Sequence, residues 1–174
     1  MDRDTLKVLI SAEQIEERVK ELAEDISRDY KGKKPFLVGV LKGAVIFLSD
    51  LIRNMDIQLE VDFMAVSSYG ADTTSSGIVR IQKDLEQSVK GRDVLIVEDI
   101  VDTGLTLNYL CENINSQRPN SLRVVTLLDK PDRRKVKFEA DYCGFKIPDL
   151  FVVGYGLDFN EDYRQLNDIC ILNL

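Results

Sequence analysis

The chain has 174 residues, 44% of them hydrophobic and 30% charged, with a net charge of −7. It reads as one soluble globular domain that can bury roughly 70% of its unfolded surface without a disulfide or metal staple; its acidic balance opposes a broad nucleic-acid interface but not a small polyphosphate, which a metal ion and a few placed cations neutralise. There is no histidine, which excludes Ser-His-Asp and Cys-His catalysis and histidine-bearing zinc sites and leaves carboxylate, lysine, tyrosine or cysteine for any acid or base role.

The start, Met1-Asp2-Arg3-Asp4, is charged and leads into no span of about 20 apolar residues, so neither a signal peptide nor a membrane segment is expected and the reading is cytoplasmic. Residues 6–10 read as a short strand. Ser11 and Gln14 match a capping box, and Ile15, Val19, Leu22 and Ile26 recur at helical spacing, which predicts a helix from about 12 to about 30. Residues 36–41 form an unbroken apolar run, the pattern of a strand covered on both faces, and 44–54 read as the next helix. Residues 57–67 alternate as a strand. The small polar residues of 68–78 form a long loop whose composition fits a lid and a plain surface loop equally, and 79–83 read as a return strand.

Asp93-Val94-Leu95-Ile96-Val97 is a second buried-type strand, followed by a loop at 98–106 and a helix to about 117, before Pro119. Further strands are expected at 122–128, 136–143, 151–155 and 168–172. Strands alternating with helices predict a single α/β domain over 1–174 with a mainly parallel twisted sheet flanked by helices, its two ends forming a small hood and residues 68–80 a flexible lid. Cys111, Cys143 and Cys170 are isolated and read as free thiols, most simply small buried hydrophobes.

Ligands of such sheets sit outside the carboxyl ends of the strands. Three loops there carry unusual chemistry: 41–43, 98–106 and 129–134. In the second, Glu98, Asp99 and Asp102 crowd a strand end, and Thr103, Gly104 and Thr106 lead into a helix. Backbone N–H groups, two hydroxyls and a helix N-terminus make a phosphate cradle. Carboxylates repel phosphate, so they need another task, such as binding ribose hydroxyls or the waters of a magnesium ion. No Walker A loop is present, and Gly154-Tyr155-Gly156 does not extend to a dinucleotide-binding fingerprint.

The string Val94-Leu95-Ile96-Val97-Glu98-Asp99-Ile100-Val101-Asp102-Thr103-Gly104-Leu105-Thr106 closely resembles the phosphoribosyl-pyrophosphate signature of type I phosphoribosyltransferases. Other segments resemble the hypoxanthine-guanine branch of that family. Leu41-Lys42-Gly43 is similar to its pyrophosphate loop, Ser68-Tyr69 to the start of its lid, and Leu127-Leu128-Asp129-Lys130-Pro131 to the segment bearing its purine-recognising lysine. Phe145-Lys146-Ile147-Pro148-Asp149 with Phe151–Asp158 is similar to its base-stacking segment, and Tyr163-Arg164 matches a late arginine on pyrophosphate. The resemblance runs from about residue 6 to the C-terminus.

The resemblance implies transfer of a 5-phosphoribosyl group to hypoxanthine or guanine, with Mg2+ as cofactor and a homodimer or homotetramer as the assembly. It assigns the 5-phosphate and ribose to Glu98, Asp99, Asp102, Thr103, Gly104, Leu105 and Thr106, and pyrophosphate to Leu41, Lys42, Gly43 and Arg164. The purine falls to Lys130, Phe151, Val152 and Asp158, metal contacts to Glu98, Asp99 and Asp158, the lid to Ser68 and Tyr69, and the general base to Asp102. Taken singly, Lys42 and Lys130 would pass for solvated loop lysines and Phe151 for core. Arg133 and Arg134 are two candidates for one functional arginine. Adenine, xanthine and orotate enzymes of the family are the nearest alternatives. A nucleotide-sensing RNA-binding relative is the rival from another class, disfavoured by the acidic balance despite the basic stretch 133–137.

Overall fold

The computed structural model describes residues 6–68 and 79–173. In chain order its elements are β1 (Leu6–Ile10), α1 (Ala12–Asp29), β2 (Phe36–Leu41), α2 (Val45–Asn54), β3 (Glu60–Ser68), β4 (Val79–Lys83), β5 (Asp93–Val101), α3 (Leu105–Ser116), β6 (Ser121–Asp129), a 3-10 turn (Pro131–Arg133), β7 (Tyr142–Lys146), β8 (Val152–Val153) and β9 (Ile169–Leu172).

The unbroken apolar runs take the centre of a six-stranded sheet of order β4-β3-β2-β5-β6-β7. Every neighbouring pair is parallel except β3 with β4, which is antiparallel. The mainly parallel α/β architecture expected from the alternation of strands and helices is therefore the one observed. β2 pairs with β5 from Phe36↔Val94 to Gly39↔Val97. From β2 the chain crosses to β3 on one side, and from β5 to β6 on the other. The carboxyl ends of β2 and β5 thus flank a topological switch point, where a parallel sheet opens a crevice.

Alternation along the strands divides the core into two layers. Leu37, Leu95, Val97, Val125 and Leu127 face α1 and α2, meeting Ile15, Leu22, Ile26, Phe47, Leu48 and Leu51. Phe36, Val38, Val94, Ile96 and Val124 face α3, meeting Leu107, Leu110 and Ile114. Helix α1 begins with the predicted capping box: the Gln14 N–H donates to Ser11 Oγ and the Ser11 N–H to Gln14 Oε1. Arg18 then reaches from α1 to the edge strand, donating to the carbonyls of Gly144 and Cys143 at 3.0 and 2.9 Å. A second sheet of order β1-β9-β8 is antiparallel and brings the first and last described strands together.

Four boundaries differ from the sequence expectation, one being the strand expected at 151–155, which is reduced to Val152–Val153. β5 does not stop at 97 but continues to Val101, because β6 keeps pairing with it through Ile100↔Leu128 and Val101↔Asp129. Glu98 and Asp99 are therefore strand residues. β3 starts at Glu60 rather than 57, where Phe36 of β2 first lies beside it. The strand expected at 136–143 lies at Tyr142–Lys146 instead. The polar-apolar alternation of 135–141 has another use: Phe138 and Ala140 pack on the α3 layer, and Asp141 accepts from the Val124 N–H at 2.8 Å at the margin of β6. The lid expected at 68–80 falls largely outside the described residues, Tyr69 included; Ser68 closes β3 and Val79-Arg80 begin β4. Among the described residues no helix is long and apolar enough to cross a membrane.

Leu110 is fully buried beneath α3, on the layer that carries the 102–106 turn. Leu110→Ala should lower stability by about 2–5 kcal/mol, read from the midpoint and slope of a urea unfolding curve; a change below about 1 kcal/mol would show that α3 is not anchored this way.

Candidate functional site at the switch point

At the end of β5 the strand turns into α3 through Asp102-Thr103-Gly104. Gly104 is the N-cap residue, with φ of +81°, a left-handed conformation that glycine adopts without strain. The first helical bond runs from the Asn108 N–H to the Gly104 carbonyl at 2.9 Å. The N–H groups of Leu105, Thr106 and Leu107 therefore have no intrahelical acceptor; Leu105's reaches only Thr103 Oγ1, at 3.4 Å. A shallow cleft of about 140 Å³ lies over this turn, lined among others by Glu98, Asp99, Asp102, Thr103, Gly104 and Thr106. The residues in which the sequence pattern expects an anion cradle thus line one cleft, with Leu105 as the first helical residue beside it.

Glu98 is buried, and Asp99 follows it on the same strand. Burial, and then the neighbouring Asp99 charge, push the Glu98 carboxyl well above the usual carboxylate range. Burial also raises Asp99, against hydrogen bonds from Glu98 and the backbone and a pull from the Arg164 charge. Two adjacent carboxyls at a covered strand end are costly to ionise together, and a cation between them and an incoming ligand removes that cost.

Across the crevice, the Leu41–Lys42 peptide bond is cis, and Gly43 is buried. A Cβ at Gly43 would run into the Asp99 carboxylate, and one at Gly156 would run into the Gly43 carbonyl. The 41–43 and 154–158 segments and the end of β5 at Asp99 thus meet with no room for a methyl group at Gly43 or Gly156.

The two expected pyrophosphate cations come together on a residue that sequence reading passed over. Lys42 Nζ lies 2.9 Å from Glu161 Oε2, and Arg164 Nη2 lies 3.5 Å from the same oxygen. The Lys42 ammonium holds the Glu161 carboxyl below the ordinary range. Asn160, Glu161 and Tyr163 all have positive φ, at 52°, 68° and 78°, so a loop without glycine is bent through left-handed residues to present this carboxylate. Spacing in a non-helical loop carries no signal for such a contact. Asp158 is not brought into a cluster with Glu98 and Asp99. Its Oδ1 pairs with Arg164 Nη2 at 2.9 Å and its Oδ2 accepts the Glu161 N–H at 2.9 Å. Among the described residues no group of three or more acidic or cysteine side chains is arranged to hold a metal ion.

Lys130 ends the next loop's entry. Its backbone N–H donates to the Val101 carbonyl at 2.9 Å, which sets it beside the end of β5. The residue is 8% exposed, and its ammonium makes no hydrogen bond or ion pair with the described residues. The structure separates the two arginines that the sequence could not. Arg134 is structural to the turn: it donates to the carbonyls of Asp102 and Phe138 and pairs with the Asp129 carboxylate. Arg133 instead donates to the Asp102 carboxylate at 3.0 Å.

Phe151 is 43% exposed and meets Phe159 edge to face, with ring centroids 5.6 Å apart. Its carbonyl accepts the Leu172 N–H. In an antiparallel pair the hydrogen-bonding direction alternates, so the N–H and C=O of Val152 turn to the free edge of β8, the outer strand of its sheet. An exposed ring and an open peptide edge lie one residue apart. A separate cavity of about 490 Å³ lies between α1, α2 and residues 164–167, and of the expected site residues only Arg164 lines it.

The phosphoribosyl transferase domain family matches residues 9–160. A hypoxanthine-guanine phosphoribosyltransferase of Bacillus subtilis is 54% identical over 172 residues, covering 99% of this chain and 96% of that protein. One from Mycobacterium tuberculosis is 53% identical over 176 residues, covering 98% and 87%. The crystal structure of a hypoxanthine phosphoribosyltransferase from Staphylococcus aureus superposes with a TM-score of 0.95 at 51% identity, covering 98% of this chain and 94% of that one. With the signature turn at the switch point and near full-length identity above one half, the chain belongs to the phosphoribosyltransferase family, in its hypoxanthine-guanine branch.

Proposed function

We propose that the protein is a purine-salvage enzyme that transfers the 5-phosphoribosyl group of phosphoribosyl pyrophosphate to N9 of hypoxanthine or guanine, giving IMP or GMP and pyrophosphate. The observation that carries this reading is the switch-point turn, where a helix N-terminus with free N–H groups adjoins a buried pair of carboxyls.

The N–H groups of Leu105, Thr106 and Leu107, with the hydroxyls of Thr103 and Thr106, bind the 5-phosphate. Glu98 and Asp99 take the ribose hydroxyls. The same pair fits a hard divalent cation such as Mg2+, which binds through one or two carboxylates and completes its shell with waters and substrate oxygens; when bound it supplies positive charge to the sugar and the departing pyrophosphate. Lys42, the Gly43 backbone and Arg164 receive the pyrophosphate, which displaces Glu161 from the two cations. Asp158, already paired with Arg164, orients that arginine and faces the purine edge.

At the other side of the ribose, Phe151 stacks on the purine and Val152 offers its peptide edge. The uncommitted ammonium of Lys130 donates to O6. A 6-amino group would set donor against donor, and a site built on a hydrogen bond rejects strongly the analogue that cannot make it. As N9 bonds to C1 of the ribose and the C1–pyrophosphate bond breaks, Asp102 accepts the proton from purine N7. The reading includes a cytoplasmic location and a homodimer or homotetramer, for which sedimentation analysis is the check.

The direct test is release of pyrophosphate from phosphoribosyl pyrophosphate with hypoxanthine, guanine, xanthine and adenine in turn, with and without Mg2+. Turnover with hypoxanthine or guanine, none with adenine and loss of activity on chelation are expected; metal-independent turnover, or preference for adenine, would overturn the assignment. Asp102→Asn should slow single-turnover nucleotide formation by about 10²-fold or more while the dissociation constant for phosphoribosyl pyrophosphate stays put. An unchanged rate removes Asp102 from the proton transfer.

The raised carboxyl of Glu98 also makes a prediction about stability. A group whose folded pKa is raised stabilises the fold least once the pH has risen through that value, because ionisation is then forced on the buried form. Glu98→Gln should therefore raise the unfolding midpoint of the ligand-free protein at about pH 8, with the gain shrinking as the pH falls toward the ordinary carboxylate range. The same variant should bind Mg2+ with phosphoribosyl pyrophosphate more weakly. A variant less stable than the parent at every pH would show that the pair is not a strained one.

A further inference from the structure

One side chain bridges the loops that leave three neighbouring strands. Arg133 ends the 3-10 turn after β6. Its Nε donates to Asp102 Oδ1, beyond β5, at 3.0 Å, and its Nη1 lies 3.6 Å from Asp149 Oδ2, beyond β7. Asp149 stands two residues before Phe151, and the Arg133 N–H itself donates to the Lys130 carbonyl at 3.1 Å. We propose that Arg133 is a positioning residue, which holds Asp102 by one oxygen, turns the other toward purine N7, and keeps this carboxylate in register with Lys130 and Phe151. The inference rests on the reading of Asp102 as the proton acceptor.

The geometry supports it on three counts. Among the described residues no hydrogen bond reaches Asp102 Oδ2, so the guanidinium fixes one carboxylate oxygen and leaves its twin available. The neighbouring arginine cannot stand in, because Arg134 spends its donors on the carbonyls of Asp102 and Phe138 and on Asp129. The side chains of Arg133 and Asp102 are 40% and 41% exposed, and an ion pair so open to water contributes little to folding. What it does contribute is orientation, since the planar guanidinium constrains the plane of its partner in a way that a lysine ammonium does not.

The test is a double-mutant cycle on the single-turnover rate of IMP formation, with the dissociation constant of phosphoribosyl pyrophosphate measured alongside. Arg133→Ala should slow the parent enzyme by about two- to fivefold, the scale of one exposed charged contact, and leave that dissociation constant unchanged. In the Asp102→Asn background the same substitution should have no effect, because the group it orients no longer takes the proton. Arg133→Lys should recover only part of the rate. Equal slowing in both backgrounds, or full recovery with lysine, would overturn the positioning role. If Asp102→Asn itself leaves the rate unchanged, the failure lies with the proton-acceptor assignment beneath the inference, and the two outcomes are read from different arms of the cycle.

Discussion

Two adjacent carboxyls at the covered end of β5 are the constraint around which the site is arranged. Glu98 and Asp99 are strand residues held by continued pairing with β6, so neither can rotate out to water by loosening a loop. Burial raises both carboxyls. Two such carboxyls are costly to ionise together, and Arg164 supplies a charge that pulls Asp99 back down. The turn beside the pair has the opposite polarity, with N–H groups at the start of α3 that lack intrahelical acceptors. A sugar phosphate, which carries hydroxyls at one end and phosphate at the other, matches that division of charge.

The second feature is how closely the loops are packed. Gly43 presses on Asp99 and Gly156 presses on the Gly43 carbonyl. The crevice is therefore not a gap between independent loops. The 41–43 loop, the acidic strand end and the segment leading to Asp158 are one contiguous body, and a methyl group at either glycine would force them apart.

The charges around the crevice fall into two classes. Lys42 and Arg164 are tied to Glu161 and Asp158, and Arg133 to Asp102, so these cations are pre-placed by internal carboxylates. Lys130 stands apart, mostly covered and without a protein partner among the described residues. Paired cations keep their geometry in the absence of ligand at small energetic cost because they remain solvated. An unpaired, covered lysine is left to be satisfied by what binds.

Much of this was legible in local pattern. Apolar runs at 36–41, 93–97 and 122–128 marked the central strands because strands covered on both faces need no alternation, and Ser11 with Gln14 marked the start of α1 because a capping box is a local contact. The acidic-threonine-glycine string announced its turn for the same reason: its chemistry lies within a few residues of chain. Local pattern misled at 136–143, where alternation reflects packing of Phe138 and Ala140 against α3 rather than strand pairing. It was silent on the contacts that join distant segments: Glu161 with Lys42 and Arg164, the division of labour between Arg133 and Arg134, and the contact of Gly43 with Asp99. Residue order alone determined which segments form the central strands, since that follows from hydrophobic run lengths, while the end of β5 was set by its pairing with β6. Only the tertiary structure decided which charge meets which, since those pairings depend on the sheet order and the left-handed bend at 160–163, which bring together residues far apart along the chain.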